Sequence, residues 1–285
     1  MFITTPGRLL AAGLMMLTLQ VAVPANAAIF TIDNFKINRA NGNLVFEDTF
    51  SDGAPPPSAP NFTNGNPGLY SVVGVTGPEA GGKLNLNTAL GAPSNAVGRS
   101  GQNSVIDARL LTNIDPINMR NGFKVGNDFI VSSLFDLSVL PTLRREGFGI
   151  RLSDGGLTPT SNDILDLMIR LNAGGNLVVD FRRLDVTADF VTIIDSVALE
   201  LGHQQILLEL SKLNAATKTI TASFAYVDGG VVGSSFVFAN TADIFNGENV
   251  TRASFRAQTP IPIPPTLYLS LLGLAGMIWM RKRGS

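Results

Sequence analysis

Leu165-Asp166-Leu167-Met168-Ile169-Arg170-Leu171-Asn172-Ala173-Gly174-Gly175-Asn176-Leu177-Val178-Val179-Asp180-Phe181-Arg182 is the stretch whose reading decides the fold. Leu165, Leu167, Ile169 and Leu171 alternate with Asp166, Met168 and Arg170; Leu177, Val179 and Phe181 alternate with Val178, Asp180 and Arg182. Successive side chains of a strand point to opposite faces, so a period of two marks a strand with one face in a core. Between the two runs lies Asn172 to Asn176, rich in the Asn and Gly that turns require. The reading is an antiparallel hairpin with one face buried and one wet.

The same pattern spreads in both directions. Phe129, Val131, Phe135 and Leu137 share a face with Ser133 between them, and Phe148, Ile150 and Leu152 oppose Arg151 and Ser153. Downstream, Ile206, Leu208 and Leu210 lead through Leu213 to Thr217 into Ile220, Ala222, Phe224 and Tyr226. Asp228-Gly229-Gly230 turns into Val231 to Phe238, and Val250 to Gln258 reads as a last strand. Upstream, Asn41-Gly42-Asn43 is a hairpin signal before Leu44 to Phe50. Tyr70 to Val75 and Lys83 to Asn87 are shorter strands, and the Gly-, Pro-, Ser- and Asn-rich stretches Ser51 to Gly68 and Ala89 to Asn103 are loops. One helical turn is expected, Thr241 to Phe245, with Thr241 as its N-cap. Strands at regular spacing with almost no helix predict an all-β, antiparallel two-sheet sandwich, and the element order predicts a jelly roll.

Both chain ends fall outside that pattern. Arg8 precedes an apolar run from Leu9 to Val23, and Pro24 then leads to Ala25-Asn26-Ala27, a small-x-small cleavage site. Residues 1–27 therefore read as a secretory signal peptide, removed by signal peptidase so that the mature chain begins at Ala28. Residues 260–285 read as an anchor in three parts: a proline collar, an uncharged run from Leu267 to Met280, and Arg281-Lys282-Arg283. The basic end resists translocation and the amphipathic Trp279 suits the interface. The apolar run is short against the 17–25 residues of a usual span; a buried C-terminal helix is the alternative. The domain between, residues 28–259, is long enough for one large sandwich.

The tail resembles the PEP-CTERM sorting signal in its VPLPA-type variant. Ile261-Pro262-Ile263-Pro264 stands at the collar, Leu271-Leu272-Gly273-Leu274-Ala275-Gly276 in the helix, and Arg281-Lys282-Arg283 at the basic end. Ile263 stands where the commoner form has Glu, which leaves the subtype of the reading enzyme open. The resemblance implies a transmembrane helix, processing by an exosortase-type enzyme, and export to the envelope or surface of a Gram-negative bacterium that makes exopolysaccharide. Phe46 to Phe50, Tyr70 to Val72, Gly81 to Leu86 and Gly147 to Leu152 resemble the laminin-G-like, concanavalin A-like sandwiches.

Composition excludes several classes of function. The chain has no cysteine, hence no disulfide, zinc-thiolate site or thiol nucleophile, and a single histidine, His203, read as a solvated turn residue. Of 21 Lys and Arg, Arg8 and three tail cations lie outside the domain, leaving 17 against all 22 Asp and Glu, a net −5 that argues against nucleic acid. No two acidic residues lie two positions apart, so no single strand presents the carboxylate pair of a glycan hydrolase. Catalytic residues are accordingly none. Polysaccharide binding is the alternative to a purely structural role, although the only tryptophan is in the tail and the domain keeps just Tyr70 and Tyr226. No cofactor is expected beyond a structural calcium, for which the resemblance implies Glu47 and the carbonyl of Gly82.

Overall fold

The computed structural model describes residues 28–51, 70–73, 81–88, 92–94, 105–112, 128–144, 146–154, 163–185, 190–214, 216, 219–239, 241–242 and 251–260. These residues form strands in two antiparallel sheets. The first is built from β1 (Ile29–Asn38), β2 (Leu44–Asp48), β4 (Leu84–Asn87), β7 (Phe129–Asp136), β12 (Gln205–Lys212), β13 (Thr219–Asp228), β14 (Val231–Val237) and β15 (Thr241–Ala242). Its order is β14-β13-β12-β7-β1-β2, with β4 on β1 and β15 on β13. The second holds β3 (Tyr70–Val73), β5 (Ala92–Ser94), β6 (Val105–Thr112), β8 (Gly147–Asp154), β9 (Asp163–Leu171), β10 (Leu177–Asp185), β11 (Phe190–Ala198) and β16 (Thr251–Pro260). Its order is β11-β10-β9-β8-β16-β6-β3, with β5 on β6.

Alternation does what the sequence promises. Phe129, Val131, Phe135 and Leu137 are buried, as are Leu165, Leu167, Ile169, Val179 and Phe181 on the facing sheet. Rings from the two sheets interlock: Phe30 lies 4.7 Å from Phe148, and Phe35 and Phe50 meet Phe255 edge-on at 5.5 and 5.8 Å. Each such side chain contributes about 1.5–3 kcal/mol on burial. The described residues belong to one unit running from Ala27 to Ile261.

The far face of the second sheet is not wet, and this corrects the sequence reading. Arg151, Asp166, Met168, Asp180, Arg182, Ser254 and Arg256 all point away from the apolar core, yet all are buried. Cross-strand register puts Arg151 and Arg182 on either side of Asp166. Arg151 donates from Nε to Oδ1 at 2.6 Å and from Nη2 to Oδ2 at 2.8 Å, and Arg182 donates to Oδ2 at 2.7 Å. Arg256 stands 3.7 Å from the same oxygen. Next to this group Asp180 pairs with Arg170 and accepts from the Ser196 hydroxyl. Burial pushes the Arg182 guanidinium below its usual range, against the pull of Asp166.

Three further readings change. Thr241 and Ala242 form a two-residue strand opposite Ile220 and Thr219, not the start of a helical turn; a free ladder edge on β13 outweighs the local capping preference of Thr241. Ala92 to Ser94, expected in a loop, pairs with β6. β6 and β11 have no counterpart among the strands expected from the sequence.

Candidate functional site

The cluster of titratable groups outside the arginine lattice sits at one end of the first sheet. It draws on β1, β7 and β12 and on the turn before β4. β1 carries a bulge: Ile32 faces Phe135 and Asn34 faces Leu134, so Asp33 is an extra residue whose side chain is turned out of the regular alternation. Gly81 and Gly82, at φ +62° and +74°, make a left-handed turn that residues with a Cβ rarely adopt, and this turn delivers Lys83 at the start of β4. β7 ends at Asp136, and Gln205 opens β12 directly opposite it.

Lys83 Nζ lies 2.7 Å from Asp136 Oδ2 and 3.6 Å from Asp33 Oδ1. Gln205 donates from Nε2 to the other oxygen of Asp33, and the Ser138 amide donates to Asp136 Oδ1 at 2.7 Å. Asp33 Oδ1 is buried with no hydrogen-bond donor. The two carboxylates are pushed apart. Burial raises Asp33 above its usual value, helped by Asp136 and opposed by Lys83. Burial also pushes Asp136 upward, but hydrogen bonds from Lys83 and Ser138 outweigh it and leave it lowered. Lys83 is raised, chiefly by its hydrogen bond to Asp136.

His203 closes the other side. Its Nδ1 is 2.7 Å from Asp228 Oδ2, its Nε2 is 3.5 Å from Glu200, and its ring stacks on Tyr226 at 4.0 Å. The Gln204 amide donates to Asp228, and the Gly229 amide donates to the Gln204 side chain. The segment expected as a solvated turn is thus latched to the β13–β14 turn. Lys83, Asp136, Leu137, Ser138, His203, Gln204 and Gln205 line an open cleft of about 500 Å³. It offers acceptors, amides and a hydroxyl to a polar ligand. Asp33 and Asp136 share one ammonium, which occupies the place between them that a hydrolytic pair would leave for substrate.

Of the expected site residues, Ala28 is described: its carbonyl accepts the amide and hydroxyl of Thr88 at 3.2 and 3.1 Å. Ala25, Ala27, Ile261 to Pro264 and Arg281 to Arg283 lie outside the described residues, as does the tail read as a transmembrane helix. Among the described residues no helix is long and apolar enough to cross a membrane. Glu47 is held by Lys36, its cross-strand neighbour, at 3.2 Å, and Gly82 lies in the turn before Lys83. A cation at Glu47 has to compete with that ammonium. Among the described residues no group of three or more acidic or His side chains is placed to hold a metal ion.

His203 titrates with a definite sign. Its hydrogen bond to Asp228, with Glu200 adding, raises its pKa above 6.5. The latch is therefore at full strength below pH 6.5 and is lost as pH rises through the raised value. His203 is the single histidine, so its proton NMR titration needs no assignment. The midpoint is expected above 6.5 and closer to 6.5 in Asp228→Asn; an unchanged midpoint in that variant removes the latch.

No known protein family and no curated protein matches this chain, so function is argued from the residues themselves.

Proposed function

We propose that the chain is an exported, non-enzymatic protein of the cell envelope or extracellular matrix, built as a jelly roll and sorted by an exosortase-type enzyme in the setting of exopolysaccharide or biofilm. The observation that carries this reading is where the fold starts and stops. The compact unit runs from Ala27 to Ile261, the Ala28 carbonyl is held by Thr88, and β1 begins at Ile29. β16 ends at Pro260, where the collar Ile261-Pro262-Ile263-Pro264 begins. Cleavage after Ala27 and processing within the collar both spare every strand among the described residues. The jelly roll is supported by two antiparallel sheets whose neighbours include the sequence-distant pairs β1–β7 and β8–β16.

Terminal sequencing and intact mass of the exported protein test this directly. The mature chain is expected to begin at Ala28, and Pro262→Ala with Pro264→Ala to keep an intact tail at the inner membrane. A mature chain that still carries residues 9–23, with mass and location unchanged in the double variant, contradicts the reading.

A second reading, a carbohydrate-binding surface protein, is favoured by the cleft. Lys83, Ser138 and Gln205 on the cleft wall suit sugar hydroxyls, while the phenylalanines that would stack on a sugar are mostly buried. Calorimetry against the host's exopolysaccharide, with and without calcium for Glu47 and Gly82, is expected to show weak binding. Ser138→Ala, which removes a hydroxyl from the cleft wall, is expected to weaken it about tenfold, equivalent to about 1.4 kcal/mol. Equal affinity in the variant takes the cleft out of the reading, and release of reducing sugar overturns the non-enzymatic assignment.

A further inference from the structure

An ammonium between two carboxylates is ordinarily an ion pair, and an exposed one adds little to stability. Here the pairing is incomplete. The Asp33 side chain is only 12% exposed, yet its Oδ1 is buried with no hydrogen-bond donor, a desolvation cost that nothing at that atom offsets. Two backbone irregularities nevertheless aim the groups at one another: the β1 bulge turns Asp33 out of the alternation, and the Gly81–Gly82 turn delivers Lys83. Lys83 Nζ stands 3.6 Å from that Oδ1 and 2.7 Å from Asp136 Oδ2, while Gln205 donates to the other oxygen of Asp33. An amine, a carboxyl electrophile, a carboxylate base and a donor on the carbonyl oxygen are the groups that amide formation needs.

We propose that Lys83 and Asp33 form a self-modification site, in which an amide bond joins Lys83 Nζ to Asp33 Cγ with Asp136 as the base. Asp136 Oδ2 takes one proton from the Lys83 ammonium, and the neutral amine attacks Cγ of the protonated Asp33 carboxyl. Charge developing on Asp33 Oδ2 meets the Gln205 amide. A second Nζ proton goes to the Oδ1 hydroxyl, the Cγ–Oδ1 bond breaks, and one water leaves. Asp136 ends protonated and returns its proton to solvent; nothing is oxidised or reduced. Burial raises Asp33, which favours the protonated acid that the attack requires. At Asp136 burial is outweighed by the hydrogen bonds from Lys83 and Ser138, so the base stays an anion. Lys83, 44% exposed on the cleft wall, has room to swing from Asp136 to Asp33, and the cleft gives the water a way out. Well-oriented groups within one molecule react as though at about 10⁵–10⁸ M, which favours joining over separate ions. The orphaned oxygen is the atom that departs, so the bond removes the cost of burying it. The link ties β1 to the turn before β4 across the Pro-, Gly- and Asn-rich sequence Ser51 to Gly68, in a chain with no cysteine for a disulfide. It does not depend on where the protein is exported.

Peptide mapping of the purified protein by tandem mass spectrometry tests this, whatever the state of its chain ends. The parent digest is expected to hold the Asp33 peptide joined to the Lys83 peptide, at a mass one water below their sum. Fragments that span both peptides separate this bond from a cyclic imide at Asp33-Asn34, which loses the same water within one peptide. Asp136→Ala, which keeps both joined residues, is expected to lower the joined fraction at least about tenfold, and Lys83→Arg to abolish it. Separate peptides at their full masses in the parent overturn the proposal, and so does undiminished joining in Asp136→Ala.

Discussion

The carboxylate of Asp166 is the point on which the second sheet depends. It is fully buried on the face turned away from the apolar core and is reached by guanidinium groups from three other strands. Burying a charge costs several kcal/mol unless partners replace its water, and here bidentate Arg151 and Arg182 do so. Such a lattice is weak as a net source of stability, because hydrophobic replacements often do as well. It is strong as a device for register. A one-residue slip of β9 would carry Asp166 into the phenylalanine layer and Leu165 and Leu167 into the arginines. Each strand of the set is therefore fixed twice, by its apolar side and by its charged side.

That rigidity also explains two glycines. Gly147 and Gly149 lie on the charged face of β8, where an added Cβ would come within 2.4 Å of the Ile169 carbonyl oxygen and 2.1 Å of that of Leu167. β8 and β9 approach too closely for any side chain there. The first sheet is built on different terms. Its irregularities, the bulge at Asp33 and the left-handed Gly81–Gly82 turn, turn polar groups toward one end and produce the cleft. One sheet is a locked frame, and the other bends at its end to present chemistry.

How much of this could be read from the chain follows from the range of each interaction. β7, β9, β10, β12 and β13 were legible because alternation is local, and the turns that join β9 to β10 and β12 to β13 are short. The buried charged face was misread because period two says which face is more apolar, not whether the other meets water. A signal was present: the loop from Asn172 to Asn176 sets Asp166 opposite Arg182 by register alone. The cleft was not legible. Asp33, Asp136 and Gln205 come from three strands and Lys83 from the turn before a fourth, with Asp33 and Gln205 separated by 172 positions. The consecutive polar pair Asp33-Asn34, interrupting an otherwise apolar alternation, was its one local trace. Thr241 shows the opposite error, a good local cap overruled by a ladder edge formed far away in sequence.

The claim that the far face of the second sheet is a sealed structural lattice is tested most directly by equilibrium unfolding of Asp166→Asn against the parent protein. Neutralising this one carboxylate leaves buried guanidinium groups without their counter-charge, so the account predicts a loss of about 3–5 kcal/mol. A loss below about 1 kcal/mol, the scale of an exposed ion pair, would mean that water reaches this face and would contradict the account.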